Sequence, residues 1–229
     1  HPMNPDHIHE ELELMTYDFG CNQFEWTSMV PRFRDHYFAT DQRPQYKYMR
    51  DVLKLLTWQQ RNTDRPSRWV LKCPQHLEQL PVLHNVFPDA TVAITQRDPI
   101  AVIQSALTIN LYGQRMSRDK VLMDKTVDYW VERIDHLLQA CVRDRGCIPA
   151  SQSIDVPFKA LIADDIAWVE KIYEKANLEM TDQARSELSG FMKEKQGAYG
   201  RVVYNIQEQF GLDPEVLRER FSYYTKGFM

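Results

Sequence analysis

Apolar residues recur along this chain with two different rhythms. Ile8, Leu12, Met15 and Phe19 fall at helical spacing and predict a helix over 6–19. Tyr48, Val52, Leu55 and Leu56 predict another, which ends in the turn-forming stretch RNTDRPS. A looser aromatic segment, FEWTSMVPRFRDHYFATDQRPQY, lies between them. From residue 65 the pattern changes. RWVLK is a short apolar run between a turn and a proline, which predicts a buried strand. HLEQLPVLHNVF is helical in pattern, with a distortion expected at Pro81. ATVAIT predicts a second buried strand. Asp98 is a good N-cap and Pro99 a good first helical residue, so a helix should open there. A long helix is predicted over 118–143, a third strand at QSIDV, and helices over 164–176, 181–195 and 214–224. Strands separated by helices predict an α/β fold with a parallel sheet covered on both faces.

The 229 residues are enough for one α/β domain. We read them as a single domain with a mainly helical segment over 1–64, an α/β core over 65–176 and a helical C-terminal segment over 177–229. The chain opens at His1, inside an amphipathic region, and is read as the C-terminal part of a longer protein.

Composition narrows the function classes. A formal net charge of -4 gives no reason to expect nucleic acid or an acidic membrane surface as a partner. No apolar run approaches the roughly 20 residues that span a bilayer. Residues 1–20 are acidic and rich in histidine, unlike a signal peptide. None of Cys21, Cys73, Cys141 and Cys147 lies in a CxxC pair, so no zinc or other metal site is expected. So few cysteines suit a reducing, cytoplasmic setting.

The chemistry gathers where strands are predicted to end, the edge at which parallel α/β sheets hold ligands. Lys72 and His76 follow one strand; Arg97 and Asp98 follow the next. The helix opening at Asp98 turns its positive end toward this edge, which favours a phosphate. Arg97 could add a two-pronged contact, and Ser105, two turns further on, a hydroxyl. Plainer readings fit the same residues. Arg97 could pair with a local carboxylate, Ser105 could be a small residue against the sheet, Lys72 a solvated strand-end lysine and His76 a cap or core residue.

Taken together, WVLKCPQHLEQLPVLHNVFPDATVAITQRDPIAVIQS resembles the sulfotransferases that use 3′-phosphoadenosine-5′-phosphosulfate. It is closest to a bacterial-type branch with an LKxPxHL segment, then FPDA, then a strand ending in RDP, then V and S. HPMNPDHIHEELELM is similar to that family's acidic helix, and QRPQYKYMRDVLKLLTWQQ to its Tyr-rich helix. SIDVPFKALIADD is similar to its VxYxxLxxDP segment, and GAYGRVVYNIQEQFGLDPEVLRERFSYY to its nucleotide-covering loop and last helix. The chain departs from the pattern in having Gln96 where THRDP has histidine, and Pro157-Phe158 where a Tyr-containing pair is common. The PRSGTT-like loop that cradles the phosphosulfate is not found in these residues.

The resemblance implies a three-layer, P-loop-NTPase-like α/β fold, here without its N-terminal strand and phosphosulfate loop. It implies transfer of a sulfuryl group from 3′-phosphoadenosine-5′-phosphosulfate to a hydroxyl of a small-molecule or lipid acceptor, with no metal. Arg97 and Ser105, eight positions apart, match the pair that grips the donor's 3′-phosphate. Gly197 and Gly200 would let a loop close over the nucleotide, with Lys195 and Arg201 reaching its phosphate. Transfer needs a base beside the acceptor hydroxyl. His76 is the first candidate, because it sits near the start of the helix after Pro74, where the positive helix end favours a neutral imidazole. Glu11 and Glu10 are its rivals. Lys72 could stabilise charge on the bridging oxygen. Trp26, Phe33, Tyr37, Phe38, Tyr46 and Tyr48 could line an apolar acceptor pocket or form core. Two other functions fit the same residues: a catalytically inactive nucleotide-binding or interaction module, and another transferase or a kinase built on the same strand–helix anion site.

Overall fold

The structure, a computed structural model, describes residues 9–62, 68–195 and 205–228. The chain divides into two compact units, His1–Pro88 and Asp89–Met229.

The first unit is helical. Its α-helices are α1 (Leu12–Thr16), α2 (Gln23–Thr27), α3 (Pro31–Ala39), α4 (Arg43–Gln59) and α5 (Leu80–Val86), with a 3-10 turn over Pro74–Glu78 before α5. The helix predicted over 6–19 is thus shorter, and Ile8 lies outside the described residues. It stops because Phe19 takes a left-handed conformation, φ 52°, and the Gly20 N–H closes back onto the Met15 carbonyl at 3.1 Å. Leu12 and Met15 form its buried face.

In α4 the buried face is Tyr46, Met49 and Leu53, spaced i, i+3, i+7. The expected stripe is turned away: Tyr48 and Leu55 are exposed, and Val52 and Leu56 are half-buried. Both stripes are apolar, and the contacts of α4 with α1 and α5 decide which one goes inside. The break expected at Pro81 falls just before it. The 3-10 turn ends at Gln79, and Pro81 sits in the first turn of α5, where its missing N–H costs no helical hydrogen bond.

RWVLK is not a strand. Val70 is 93% exposed, and Arg68–Cys73 joins no ladder among the described residues. The Lys72 backbone N–H donates instead to Glu11 Oε2, at 2.8 Å. A side chain satisfies the donor that a neighbouring strand would have taken.

The second unit is α/β. It runs β1 (Val92–Gln96), α6 (Pro99–Ser117), α7 (Met123–Asp144), β2 (Ser153–Pro157), α8 (Phe158–Ala163), α9 (Asp165–Lys175), α10 (Asp182–Lys195), α11 (Ile206–Phe210), α12 (Pro214–Arg220) and α13 (Ser222–Phe228). β1 and β2 pair in parallel, Val92 opposite Ser153 and Gln96 opposite Pro157, joined by the α6–α7 crossover that parallel pairing needs. β1 alternates: among the described residues Ile94 and Gln96 are buried while Ala93 and Thr95 are exposed.

α6 and α7 bury facing stripes, Ile103, Leu107 and Leu111 on one and Trp130, Ile134 and Leu138 on the other. Helix α7 starts at Met123 rather than 118. Gln114 ties the connection down, its Oε1 accepting the Leu122 N–H at 3.0 Å and its Nε2 donating to Thr126 Oγ1 at 2.7 Å. The C-terminal helices anchor on α7 through buried Asp135, which accepts from Arg220 Nε and from the Tyr223 hydroxyl, both at 2.8 Å.

Candidate functional site

In the first unit three side chains form one hydrogen-bonded chain. Glu11 caps α1, yet its carboxylate makes no capping bond to its own helix. Oε1 lies 2.7 Å from His76 Nε2, and Oε2 accepts the Lys72 backbone N–H. His76 Nδ1 lies 2.8 Å from the Tyr46 hydroxyl, with the two rings tilted at a centroid separation of 5.4 Å. An ionised carboxylate only accepts, so Nε2 carries a proton; with a neutral ring, Nδ1 accepts from the Tyr46 O–H.

Local structure holds each member. Pro74 starts the tight turn that carries His76. Beside it Gln75, fully buried, accepts the Asn22 N–H at 2.8 Å and donates to the Gly20 carbonyl at 3.0 Å. Tyr46 is delivered by the buried face of α4.

Burial pushes the Glu11 carboxyl upward. The hydrogen bond and charge of His76 and the backbone N–H groups of Glu11 and Lys72 outweigh it and hold the group below the ordinary carboxylate value. The Tyr46 phenol goes the other way. Burial raises it first, then the Cys73 thiol and the Glu78 and Glu11 carboxylates. Burial also lifts the neighbouring Cys73 thiol to about 12, so it is no nucleophile at neutral pH.

The structure therefore brings Glu11 and His76 together, although from sequence they stood as rivals. Glu10 and Lys72 form a separate ion pair at the surface, with the lysine side chain 74% exposed. The helix-dipole argument for His76 has little to act on, because the turn has five residues; the ring is governed by Glu11 and Tyr46. Of the aromatic candidates, Tyr37 and Tyr46 are core, Trp26 and Phe33 half-buried, and Phe38 and Tyr48 exposed.

In the second unit Arg97 leaves the end of β1 half-buried, its guanidinium 4.8 Å from the centre of the Phe158 ring. Asp98 caps α6, Oδ1 accepting the Ile100 N–H at 3.0 Å. Pro99 has no N–H, and the Val102 N–H bonds the Asp98 carbonyl. The helix end keeps its dipole, but its amides are largely taken, so the side chains have to carry an anion site here. Ser105 lies on the same helix, half-buried. Lys195 ends α10, and its side chain, like all of Gly197, Gly200 and Arg201, lies outside the described residues.

Gln96, the departure from THRDP, is 2% exposed and bonded at both ends of its amide. Nε2 donates to Asp155 Oδ1 at 2.7 Å, and Oε1 accepts from the Tyr224 hydroxyl. Sequence reasoning flagged the departure but missed these partners.

A sulfotransferase family model matches residues 1–182. The chain belongs to the sulfotransferase family. Among solved structures it is similar to sulfotransferase STF1 from Mycobacterium tuberculosis, with TM-score 0.79 and 24% identity over 97% of this chain and 56% of that one. It is also similar to sulfotransferase STF9 from Mycobacterium avium, with TM-score 0.83 and 21% identity over 100% and 58%. The chain thus spans a little over half the length of either protein. No curated protein matches it. The fold is the expected α/β, P-loop-NTPase-like fold of sulfotransferases.

Proposed function

We propose that this protein moves a sulfuryl group from 3′-phosphoadenosine-5′-phosphosulfate to a hydroxyl of a small-molecule or lipid acceptor, as a single domain acting in the cytoplasm. The observation that carries the reading is the buried carboxylate–imidazole pair, Glu11 Oε1 to His76 Nε2 at 2.7 Å. Such a pair fixes the imidazole tautomer and stabilises the ring once it takes a proton.

The donor would supply the sulfuryl group and a phosphate leaving group. Arg97 fits its 3′-phosphate: the guanidinium is steadied on one side by Phe158 and follows a strand end next to a helix N-terminus. Ser105 would add a hydroxyl and Lys195 and Arg201 a charge, with Gly197 and Gly200 in the covering loop. In the first unit the acceptor hydroxyl loses its proton as it attacks. In this reading His76, whose side chain keeps 15% of its surface exposed, takes that proton, and the fully buried Tyr46 holds the ring through Nδ1. Glu11 then faces an imidazolium at hydrogen-bond distance. Lys72 pairs with Glu10 at the surface of the first unit, and in this reading the lysine stabilises charge on the bridging oxygen.

A second reading, a module that binds the nucleotide without transfer, is favoured by one observation: both ring nitrogens of His76 already have buried partners. Incubation with sulfur-labelled donor and a panel of sterol, phenol and lipid alcohols separates the two. Labelled product that disappears in His76→Ala supports the transferase. Donor binding without turnover supports the module, and phosphate transfer from ATP in place of sulfuryl transfer would overturn both.

A further inference from the structure

The C-terminal helix α13 reaches the end of β1 through a single phenol. Tyr224 is 2% exposed, and its hydroxyl donates to Gln96 Oε1. The other end of that amide donates to Asp155 on β2, at 2.7 Å. Asp155 is itself gripped by Arg145, whose Nε lies 3.1 and 3.0 Å from the two carboxylate oxygens and whose Nη2 lies 2.8 Å from Oδ2. A two-pronged pair of this kind has a fixed orientation. The run Arg145–Asp155–Gln96–Tyr224 is therefore joined by side-chain hydrogen bonds from one end to the other.

Its free end falls on the Arg97 main chain. Burial, then the charge of Cys141, pushes the Tyr224 phenol well above its ordinary value, and the Arg97 backbone N–H acts on it in the opposite sense. Arg97 follows Gln96 directly, the first residue past β1. Its side chain is set by a different group, the Phe158 ring that opens α8. A guanidinium that must meet a phosphate two-pronged needs both constraints, because small rotations at its Cα move its tip by ångströms.

We propose that Tyr224 is a positioning residue for the anion site: through Gln96 and the Asp155–Arg145 pair it fixes the main chain from which Arg97 projects. This rests on the reading of Arg97 as a phosphate ligand. Gln96, which stands where the family's motif has histidine, is the link: it accepts from Tyr224 and donates to Asp155.

The test uses the whole chain with Tyr224→Phe, which keeps the ring packed on Phe228 at 5.3 Å and removes only the hydroxyl. Two quantities are read: affinity for 3′-phosphoadenosine-5′-phosphate by calorimetry, and the hydrogen-exchange rate of the Arg97 amide without ligand. The expected result is about tenfold weaker binding and about tenfold faster exchange, with no further loss of affinity when Tyr224→Phe is added to Arg97→Ala. Wild-type affinity in Tyr224→Phe, or fully additive losses in the double variant, would overturn the proposal. If Arg97→Ala itself binds as tightly as wild type, the phosphate reading fails, and the Arg97 amide alone decides the clamp: faster exchange supports it, unchanged exchange sinks it. Should Tyr224→Phe not fold, Gln96→Met fills similar space without the amide and carries the same two measurements.

Discussion

Glu11 and His76 are 65 positions apart in the chain, and their side chains meet at 2.7 Å. The carboxylate is almost wholly buried, its side chain 2% exposed. Its oxygens hold one segment of the first unit at two points: Oε1 at the 3-10 turn and Oε2 at the Lys72 backbone. Replacing Glu11 by glutamine puts an amide at that place and weakens a charge-assisted bond, so unfolding should become easier by about 1.5–3 kcal/mol. Denaturant titration of the two proteins measures it. Equal midpoints with equal slopes would show that the pair contributes nothing to stability.

The same carboxylate makes stability depend on pH in a definite direction. Glu11 is held below its ordinary value of 4.5 in the folded chain. A lowered carboxyl pKa means that the unfolded chain binds the proton more readily than the folded one. Its stabilising effect is therefore complete above the ordinary value and is lost as pH falls through the lowered one. Melting temperature should fall more steeply below about pH 4.5 in wild type than in Glu11→Gln. Parallel curves would mean that other groups carry the acid response.

Tyr46 separates catalysis from structure. Tyr46→Phe leaves Nδ1 of His76 without its buried donor, at a cost of about 1–3 kcal/mol in stability whatever the ring does. Its hold on the His76 ring adds a second consequence. Turnover should fall by about a hundredfold while affinity for 3′-phosphoadenosine-5′-phosphate is unchanged, because Tyr46 acts only through that ring. Full turnover in a folded Tyr46→Phe would show that the ring works without a partner at Nδ1.

Arg97→Ala tests the other half of the reading. Loss of a charge-assisted contact to phosphate should weaken nucleotide binding by about 1.5–3 kcal/mol, or on the order of ten- to a hundredfold. Arg97→Lys keeps the charge but loses the two-pronged geometry and the flat face over Phe158, so it should recover only part of the affinity. Calorimetry on the three proteins gives the order; a lysine variant as good as wild type would reduce the site to simple charge.

What the sequence disclosed, and what it hid, divides along the range of the forces involved. β1, the Asp98 cap and the Pro99 helix start are written in adjacent residues, because a cap and a first-turn proline act over a few positions. RWVLK has the composition of a strand, but a strand exists only with a partner, and the Lys72 N–H found a carboxylate 61 positions away. Helix α4 carries two apolar stripes, and nothing within α4 says that Tyr46, Met49 and Leu53 go inside rather than Tyr48 and Leu55. Among the candidate site residues, Glu11 and His76 could be named by residue type, but nothing local makes them a pair. Tyr46 lies 30 positions from His76, and Tyr224 lies 128 from Gln96; no spacing rule reaches that far.

Gly20 tests whether the turn under His76 depends on close backbone approach. Its carbonyl accepts from buried Gln75, the neighbour that sets the 3-10 turn, and its N–H closes the end of α1. A Cβ at this position would land on Gln45 Cγ and come within 2.6 Å of Gln45 Cβ, atoms near the α4 backbone that cannot swing clear. Gly20→Ala should therefore cost about 1–3 kcal/mol through overpacking. Gly113, inside α6, has nothing within 4 Å of such a Cβ, and there alanine should stabilise by about 0.5–1 kcal/mol because glycine is a poor helix former. Thermal melts of the two variants should move in opposite directions. The cost at Gly20 also has to appear at the site, since α1 carries Leu12 just after Glu11 and α4 carries Tyr46: the Glu11–His76 hydrogen bond should loosen, seen as a shift of the His76 imidazole proton resonances in Gly20→Ala but not in Gly113→Ala. A Gly20→Ala protein as stable as wild type, with unmoved His76 resonances, would mean that Gln45 repacks freely and that the glycine is not what holds the turn in place.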